Sequence, residues 1–255
     1  HEVIVFDNLS TGSQKNINKN AKFFLIDISH QPYFEDNKMD DIMNGVDVIF
    51  HMAALARIQP SIKNPKETIV NNFNSTLNIL DCARKYDIPV IYAGSSSKHH
   101  GLYGSPYAWS KYGGEELCKL YSEVYELNTT ICRFYNVYGS NHIRTGTYAT
   151  VIGIFENQYF KGEPLTIVGD GEQRRDFTHI DDIVDGLIRC VGKNHKGKTF
   201  ELGTGKNYSI NEVSEMFRAM GHNDVTYIPA RPGEYDVTLC DYSKAEEQLG
   251  YKPKG

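Results

Sequence analysis

The stretch VIYAGSSSKHHGLYGSPYAWSKYGGEE, residues 90–116, carries the clearest fold signal in this chain. Its apolar start, Val90 to Ala93, has the length and β-branched character of a buried strand, which stops at Gly94 before three serines. Ser105-Pro106 then predicts the start of a helix. Small polar residues at the carboxyl end of a parallel strand lie where α/β sheets bind ligands. The stretch therefore predicts an α/β fold with a ligand site beside the serines.

Tyr107 and Lys111 are four residues apart in the predicted helix, so they share one helix face. A phenol is a poor base at neutral pH because its ordinary pKa is about 10. A neighbouring ammonium favours the phenolate, and a serine such as Ser95 can hydrogen-bond the oxygen whose proton moves. Together the three groups suit proton transfer at an alcohol carbon that gives up hydride to a cofactor.

A Y-x-x-x-K pair also occurs by chance on the surface of many helices, and the pair alone does not establish a site. Its position after a strand that ends in three serines favours the catalytic interpretation. Further segments come later in order: RFYNVYG at residues 133–139, GDGEQRRDF at 169–177, FELGTG at 200–205 and RPGE at 231–234. In this order they resemble the extended short-chain dehydrogenase/reductase family, in its nucleotide-sugar epimerase/dehydratase branch.

The resemblance implies a Rossmann-like doubly wound parallel sheet with a smaller C-terminal substrate-binding region. It implies an NAD-binding domain at residues 1–140 and a mainly substrate-binding region at 141–255, with about 172–195 returning to the first domain. It also implies NAD as cofactor, a UDP-sugar as substrate, and catalytic roles for Ser95, Tyr107 and Lys111.

The cofactor half begins within an element, because His1 to Phe6 predicts a strand without a preceding cap. Asp7 comes after that strand, where dinucleotide-binding folds place an acid that binds the adenosine ribose and favours NAD. An acid here is also a common turn former, and alanines after a strand also serve packing alone. The cofactor residues that the resemblance implies are Asp7, Asn8, Asp27, Ile28, Ala53, Ala54, Asn72, Tyr107, Lys111 and Phe134.

The glycine-rich turn that would hold the pyrophosphate does not occur in the 255 residues. We therefore expect either about thirty further residues before His1, the front of a βαβ unit, or a fragment with weakened cofactor binding. A closing helix normally comes after Pro253 in the family, so we expect a truncation there too. The polar stretch at residues 30–44 predicts one more helix, and Asn71, Asn72 and Asn74 are expected at the head of another.

The substrate half contains the arginine of the RRDF segment, Arg175, whose planar fork suits bidentate binding of a diphosphate. Arg174 is expected to be a solvated neighbour, and Asp181 and Asp182 are expected to cap the helix after them. Thr238 falls where the family gates bulky 2-substituents, and its size predicts room for an N-acetyl group. The substrate residues that the resemblance implies are Ser96, Asn136, Arg175, Arg231, Glu234 and Thr238.

Composition excludes several classes of protein. A formal net charge of −5 gives no general attraction to nucleic acid or to anionic membranes. No apolar run approaches the roughly 18 residues that span a bilayer, and no secretory signal opens the chain, so a cytoplasmic location is expected. Five widely spaced cysteines predict buried, reduced thiols and no metal site. His51 is expected to be packed, because no partner acids or cysteines lie at metal spacing.

The residues directly after the central strand predict the reaction. Dehydratases of this branch carry Thr-Asp-Glu where this chain has three serines, and dehydration needs those acids for extra proton transfers. A UDP-hexose 4-epimerase is therefore the first choice. A reductase, decarboxylase or dehydratase of the same family remains open, as does a non-catalytic sugar-nucleotide-binding fragment. Two departures from the family stand out: Ser95 precedes Tyr107 by only twelve positions, and Lys98-His99-His100 replaces the usual aromatic-glycine ending.

The resemblance also implies a homodimer, since family members pair through the helix that carries the tyrosine and the helix before it. Ala108, Tyr112, Leu117 and Leu120 are candidates for that surface. Burial within one copy of the chain would explain the same residues.

Overall fold

The computed structural model describes residues 1–30, 42–221 and 224–254. Most of the helix predicted at residues 30–44 lies outside the described residues. Within these ranges the strands are β1 Ile4–Asp7, β2 Lys22–Leu25, β3 Ile49–His51, β4 Val90–Ser95, β5 Thr129–Phe134, β6 Val137–Tyr138, β7 Leu165–Val168, β8 Arg174–Arg175, β9 Thr178–His179, β10 Lys198–Leu202, β11 Tyr208–Ser209 and β12 Val225–Ile228. The helices are α1 Ile58–Lys63, α2 Pro65–Ile69, α3 Ser75–Tyr86, α4 Pro106–Tyr125, α5 Val151–Lys161, α6 Ile180–Arg189, α7 Ile210–Ala219 and α8 Ser243–Leu249.

The chain divides into two compact units. The first unit comprises His1–Gly94, Ser105–Ile131 and Gly192–Thr199; the second comprises Ser95–Gly104, Cys132–Val191 and Phe200–Gly255. Compactness does not test ligand-binding roles, so the division predicted at residue 140 stays a prediction.

Parallel strands form the frame of the first unit. Strand β1 pairs with β2, and β3 pairs with β4, both in parallel. The sheet that contains β4 has the strand order β10-β5-β4-β3. Side chains from β4, β5, α3 and α4 fill the core, among them Leu80, Val90, Tyr92, Cys118 and Ile131. Parallel strands with intervening helices confirm the predicted α/β class.

Helix α4 begins as its sequence predicts. The Ser105 side chain accepts a hydrogen bond from the Ala108 N–H at 3.1 Å, and Pro106 occupies the first turn, where it needs no donor. Gly114 lies where the helix passes the Tyr92 hydroxyl, and a Cβ there would overlap that oxygen. The glycine therefore allows α4 to lie close to β4.

Asn71, Asn72 and Asn74, which were predicted at the head of a helix, lie inside a longer helical run. Pro65 starts a helical run that continues to Tyr86, and residues Val70–Asn74 form a π-helical turn inside it. The run ends at Tyr86, because Asp87 adopts a left-handed conformation after it. The prediction of the start was wrong, since the earlier start signal is Pro65 at the first helical position.

The second unit has its own core. Helices α5 and α7 pack on β7, which pairs in parallel with β12, and the core includes Phe155, Leu165, Ile167, Val213 and Phe217. A capping box starts α7, because Ser209 and Glu212 each bond to the other's backbone N–H.

Three smaller predictions are settled in the folded chain. All five cysteines are buried and unbridged, as predicted. His51 is buried and its Nε2 lies 3.0 Å from the Thr76 Oγ1, which confirms a packed histidine. Asp181 and Asp182 lie in the first turn of α6, where they complement the helix dipole, but the capping side chain is His179, which accepts from the Asp181 N–H.

Candidate active site

Lys111 is buried on α4, with a side chain directed at the central strand. Lys111 is 4 % exposed, and its Nζ lies 4.3 Å from the centroid of the Tyr92 ring. Burial lowers the pKa of Lys111 to about 8, and the nearby Glu115 and Cys118 oppose this shift. Contact with the ring face partly replaces the water that the ammonium has lost. The protein thus holds an ammonium whose charge is lost just above neutral pH.

Tyr107 lies one helical turn before Lys111 and is half-buried. Its backbone N–H donates to the Ser61 Oγ at 3.2 Å, while the Ser61 hydroxyl donates to the Ile58 carbonyl at 2.6 Å. Helix α1 therefore fixes the first turn of α4. The fold places Tyr107 and Lys111 on adjacent turns of one helix, as the spacing predicts.

Asn72, a predicted cofactor residue, connects the segment after β3 to helix α4. Its Oδ1 accepts from the Leu55 N–H at 2.7 Å, and its Nδ2 donates to the Leu55 carbonyl at 3.3 Å and to the Ser110 Oγ at 3.0 Å. The residue is only 1 % exposed. These bonds give Asn72 a positioning role, and a direct contact with a ligand stays a prediction.

Asp7, the last residue of β1, and Asp27, two residues after β2, lie at the same edge of a parallel pair. Asn8 Nδ2 donates to the Asp27 Oδ2 at 3.2 Å, and Asp7 Oδ1 accepts from the Leu9 N–H at 2.6 Å. Burial raises the pKa of Asp27, but hydrogen bonds from Ser29, Asn8 and His30 outweigh burial and lower it to about 2. Ile28, next to Asp27 in the chain, is buried in the core.

The residues at the ends of β1 and β3 suit the ribose portions of NAD. Asp7 is exposed at the strand end, where its carboxylate can accept from ribose hydroxyls. Ala53 is exposed and Ala54 half-buried after β3, and such short side chains let a ligand approach the backbone. Leu55, the next residue, is buried and packs inside the protein.

The serines after β4 begin the second unit. The Ser95 Oγ accepts from the Ser97 N–H at 3.2 Å and from the Ser97 hydroxyl at 2.9 Å, and it caps the short helix Ser96–His100. Ser95 and Ser97 are buried, whereas Ser96 is half-buried. Within the second unit, Phe134 is half-buried at the end of β5.

Arg175 and Glu234 form an ion pair in the second unit. The Arg175 Nη2 lies 3.3 Å from the Glu234 Oε2, and Arg175 is 8 % exposed. Arg231 and Glu234 line a cavity of about 350 Å³ together with Tyr235 and Arg174. Arg231 itself is exposed. Both cationic and anionic side chains therefore line the cavity.

Asn136 and Thr238 lie next to each other in the second unit. Asn136 Nδ2 donates to the Thr238 Oγ1 at 3.0 Å and to the Asp176 carbonyl at 2.9 Å. The Thr238 Oγ1 also accepts from the Asp176 N–H at 3.1 Å. Thr238 is 3 % exposed, so its hydroxyl serves the internal structure.

Sequence reasoning missed the role of Asp176, the acid of the RRDF segment. Its carboxylate accepts from the backbone N–H groups of Thr204, Gly205 and Cys240 and from the Thr204 hydroxyl. It therefore fixes the loop after β10. The signal that could have drawn attention to Asp176 was its position in the RRDF segment, between Arg175 and Phe177.

Arg174 is a structural clamp, and the prediction of a solvated neighbour was wrong. Its guanidinium donates to the Asn207 Oδ1 at 2.9 Å and to the Glu212 Oε2 at 2.8 Å. These contacts connect β8 to the start of α7.

A second acid that sequence reasoning missed is Glu201. Its carboxylate accepts from the Arg133 Nη1 at 2.8 Å and from the Tyr135 hydroxyl at 3.1 Å.

Membrane-spanning helices and metal clusters are both absent from the described residues. In residues 1–30, 42–221 and 224–254, no helix is long and apolar enough to cross a membrane. Within the same ranges, no group of three histidine, cysteine or acidic side chains is arranged to hold a metal ion.

Comparison with known proteins identifies relatives along the whole chain. A model of the NAD dependent epimerase/dehydratase family matches residues 1–203. The chain is 35 % identical over 272 residues to a putative UDP-glucose 4-epimerase of Methanocaldococcus jannaschii, covering 100 % of this chain and 86 % of that protein. It is 31 % identical over 252 residues to a UDP-N-acetyl-alpha-D-glucosaminuronate decarboxylase of Bacillus cytotoxicus, covering 90 % of this chain and 76 % of that one.

Solved structures agree with the sequence relatives. The crystal structure of a UDP-glucose 4-epimerase from Thermotoga maritima with UDP-glucose superimposes with a TM-score of 0.92. Its sequence is 28 % identical, and the match covers 100 % of this chain and 86 % of that one.

Proposed function

The chain belongs to the NAD-dependent epimerase/dehydratase family, and we propose that within this family it is a UDP-hexose 4-epimerase. The family shares NAD and nucleotide-sugar chemistry but includes epimerases, decarboxylases and dehydratases. One observation supports epimerisation among these reactions. Strand β4 continues into Ser95-Ser96-Ser97 and then Lys98, so no carboxylate stands where dehydration needs an acid pair.

The chemistry of the side chains supports the proposed roles. Tyr107 takes the proton of the sugar's 4-hydroxyl, and Ser95 hydrogen-bonds the same oxygen. Lys111 keeps positive charge one helical turn away, which favours the phenolate of Tyr107 while the ammonium is protonated. The chemistry that NAD supplies when bound is reversible acceptance of hydride from C4 of the sugar.

Inversion requires that the ketone turn over within the site. The other face of the 4-keto sugar would then be open to return of the hydride, and Tyr107 would return the proton to the C4 oxygen. Asp7 and Asn8 bind the adenosine ribose, and Lys111 binds the nicotinamide ribose. Arg175 and Arg231 hold the diphosphate, because guanidinium groups bind phosphate oxygens in pairs.

An NMR assay tests this proposal. The protein is incubated with NAD and, separately, with UDP-glucose, UDP-N-acetylglucosamine and UDP-glucuronate, and products are followed by their anomeric signals. We expect conversion of a hexose or its acetylated derivative to the 4-epimer. The Tyr107→Phe variant is expected to lose activity by about 10²–10⁴-fold. Conversion that is unchanged in Tyr107→Phe would contradict the assigned role.

A decarboxylase is the second candidate, because a relative at 31 % identity decarboxylates a UDP-uronic acid, as its name states. The same assay separates the two reactions. Release of carbon dioxide from UDP-glucuronate, with no 4-epimer from any hexose, would replace the first candidate by the second.

Thr238 supports a further part of the proposal, acceptance of an N-acetyl group at the sugar's C2. A threonine is small enough to leave that space open, and its hydroxyl is already engaged with Asn136 and Asp176. Comparable rates on UDP-glucose and UDP-N-acetylglucosamine are expected. Exclusion of the acetylated sugar would contradict the role of Thr238 but not the proposed 4-epimerisation.

We also propose that the chain forms a homodimer through α4 and the helical run before it. Trp109, Leu120 and Val70 are 40–50 % exposed on these elements, and such apolar exposure favours a partner surface. Of the residues proposed for this surface, Leu120 remains a candidate, whereas Ala108 is fully buried within the first unit. Light scattering should give twice the mass of one chain, and Leu120→Glu should reduce it.

A further inference from the structure

His100 stacks on Tyr235 in the second unit. The ring centroids are 4.1 Å apart and the ring planes differ by 18°. A Cβ built at Gly104 would lie 4.0 Å from the Cε1 of Tyr235, so the turn after His100 also lies against this ring. The short connection between the serines and α4 is thus docked on the segment that contains Glu234.

The surroundings of His100 are charged on two sides. Tyr235 is adjacent in the chain to Glu234, whose carboxylate pairs with the Arg175 guanidinium, and Glu234 and Tyr235 line the same cavity as Arg231. On its own turn His100 has Lys98 and His99 as neighbours, but the His99 ring bonds to the Glu201 carboxylate at 3.0 Å. The charged neighbours that act on the His100 ring are His99 and Arg175.

This environment favours the neutral imidazole. Burial lowers the pKa of His100, and the neighbouring His99 and Arg175 lower it further. A sugar-nucleotide diphosphate brings two negative charges, which oppose the effect of Arg175 and favour the imidazolium. A group whose pKa rises on binding takes up a proton, so binding is tighter at the lower pH.

We propose that His100 is a binding residue for the diphosphate of the substrate, neutral in the free protein and protonated in the complex. The proposal rests on the proposed function for the ligand class, a nucleoside diphosphate sugar. Each binding event then takes one proton from solvent to the imidazole. Tyr235 holds the ring in place, and Arg175 and Arg231 share the same anion.

Calorimetry in two buffers of different ionisation heat tests the proton uptake. UDP-glucose is the probe, because its phosphates stay fully ionised through the neutral range and any proton taken up goes to the protein. We expect uptake approaching one proton per site near pH 7. We also expect the Kd to rise by up to about tenfold per unit of pH between the pKa values of free and bound His100.

Two variants separate His100 from its neighbours. His100→Phe keeps an aromatic ring on Tyr235 but cannot take up a proton, so it should bind with little uptake and with a Kd that is flat with pH. His99→Asn keeps the His100 ring but removes a neighbour that lowers its pKa, so proton uptake should persist and move to higher pH. Equal uptake in His100→Phe, or none in the unmodified protein, overturns the proposal.

The calorimetric and catalytic outcomes are distinguishable. Binding without proton uptake contradicts the role of His100 but leaves 4-epimerisation intact. Uptake without any sugar conversion supports the diphosphate contact and contradicts the epimerase. Absence of any UDP-glucose binding contradicts both.

Discussion

The ammonium of Lys111 lies 4.3 Å from the ring centroid of Tyr92, so the central strand β4 itself holds the charge that the proposed chemistry uses. The Tyr92 hydroxyl also donates to the Lys111 carbonyl at 3.3 Å. One buried side chain thus contacts both the backbone and the charged end of the same residue.

The first prediction is a loss of activity at alkaline pH. Because burial lowers the pKa of Lys111 to about 8, the fraction of ammonium falls as the pH rises through 8. The phenolate of Tyr107 then loses its partner charge, and kcat/KM should fall across about pH 7.5–9.5, by about tenfold per unit above the pKa. Initial rates at substrate concentrations well below KM measure this limb, because they report the groups of the free protein. A rate that stays level to the alkaline end of that range would contradict it.

The second prediction concerns the same residue at neutral pH. Lys111→Met keeps most of the apolar stem but removes the charge, and the turnover rate should fall by about 10²-fold or more. Thermal unfolding serves as the control, since removal of a buried charge should leave stability equal or higher. A large fall in stability together with activity would mean that the charge serves the fold.

The third prediction concerns Asn72. Asn72→Ala removes three hydrogen bonds and leaves the buried Leu55 N–H without its acceptor, so the free energy of unfolding should fall by about 2–4 kcal/mol. Asn71→Ala, one position earlier, is the matched control and should cost less than about 1 kcal/mol. Urea unfolding of both variants provides the comparison. Equal losses would show that the π-helical turn, and not the side-chain bonds, determines stability.

The fourth prediction concerns the close approach of α4 and β4. Gly114→Ala inserts a methyl group against the Tyr92 hydroxyl, and overpacking of this kind costs about 1–3 kcal/mol despite the better helix propensity of alanine. Gly113→Ala meets only the edge of the Phe73 ring, at 3.1 Å, and should cost less. The strain should also displace Lys111, so the Gly114→Ala variant should have a lower turnover rate as well as a lower free energy of unfolding. Unchanged stability would mean that the strand and helix separate freely.

Local sequence signals predicted the elements that carry the proposed site. Ser105-Pro106 starts α4, the apolar run at Val90 predicts β4, and the spacing of Tyr107 and Lys111 places them on one face. In each case the signal that predicts the element lies within a short stretch of sequence.

Interactions between distant segments could not be predicted in this way. The bond between Asn72 and Ser110, the stacking of His100 on Tyr235 and the many donors to Asp176 all depend on tertiary packing. The π-helical turn at Val70–Asn74 has the same origin, because no start or stop signal in the sequence marks it. A family resemblance indicates which residues matter, but it does not show which of them are fully engaged within the protein.

Retention of deuterium at C4 tests the proposed epimerisation most directly. UDP-glucose deuterated at C4 is incubated with the protein and NAD in ordinary water, and the product is analysed by NMR and mass spectrometry. The proposed reaction removes hydride from C4 and returns it to the opposite face, so UDP-galactose should form with the deuterium retained at C4. Formation of UDP-galactose with hydrogen from solvent at C4, or no galactose isomer at all, would contradict the proposed mechanism.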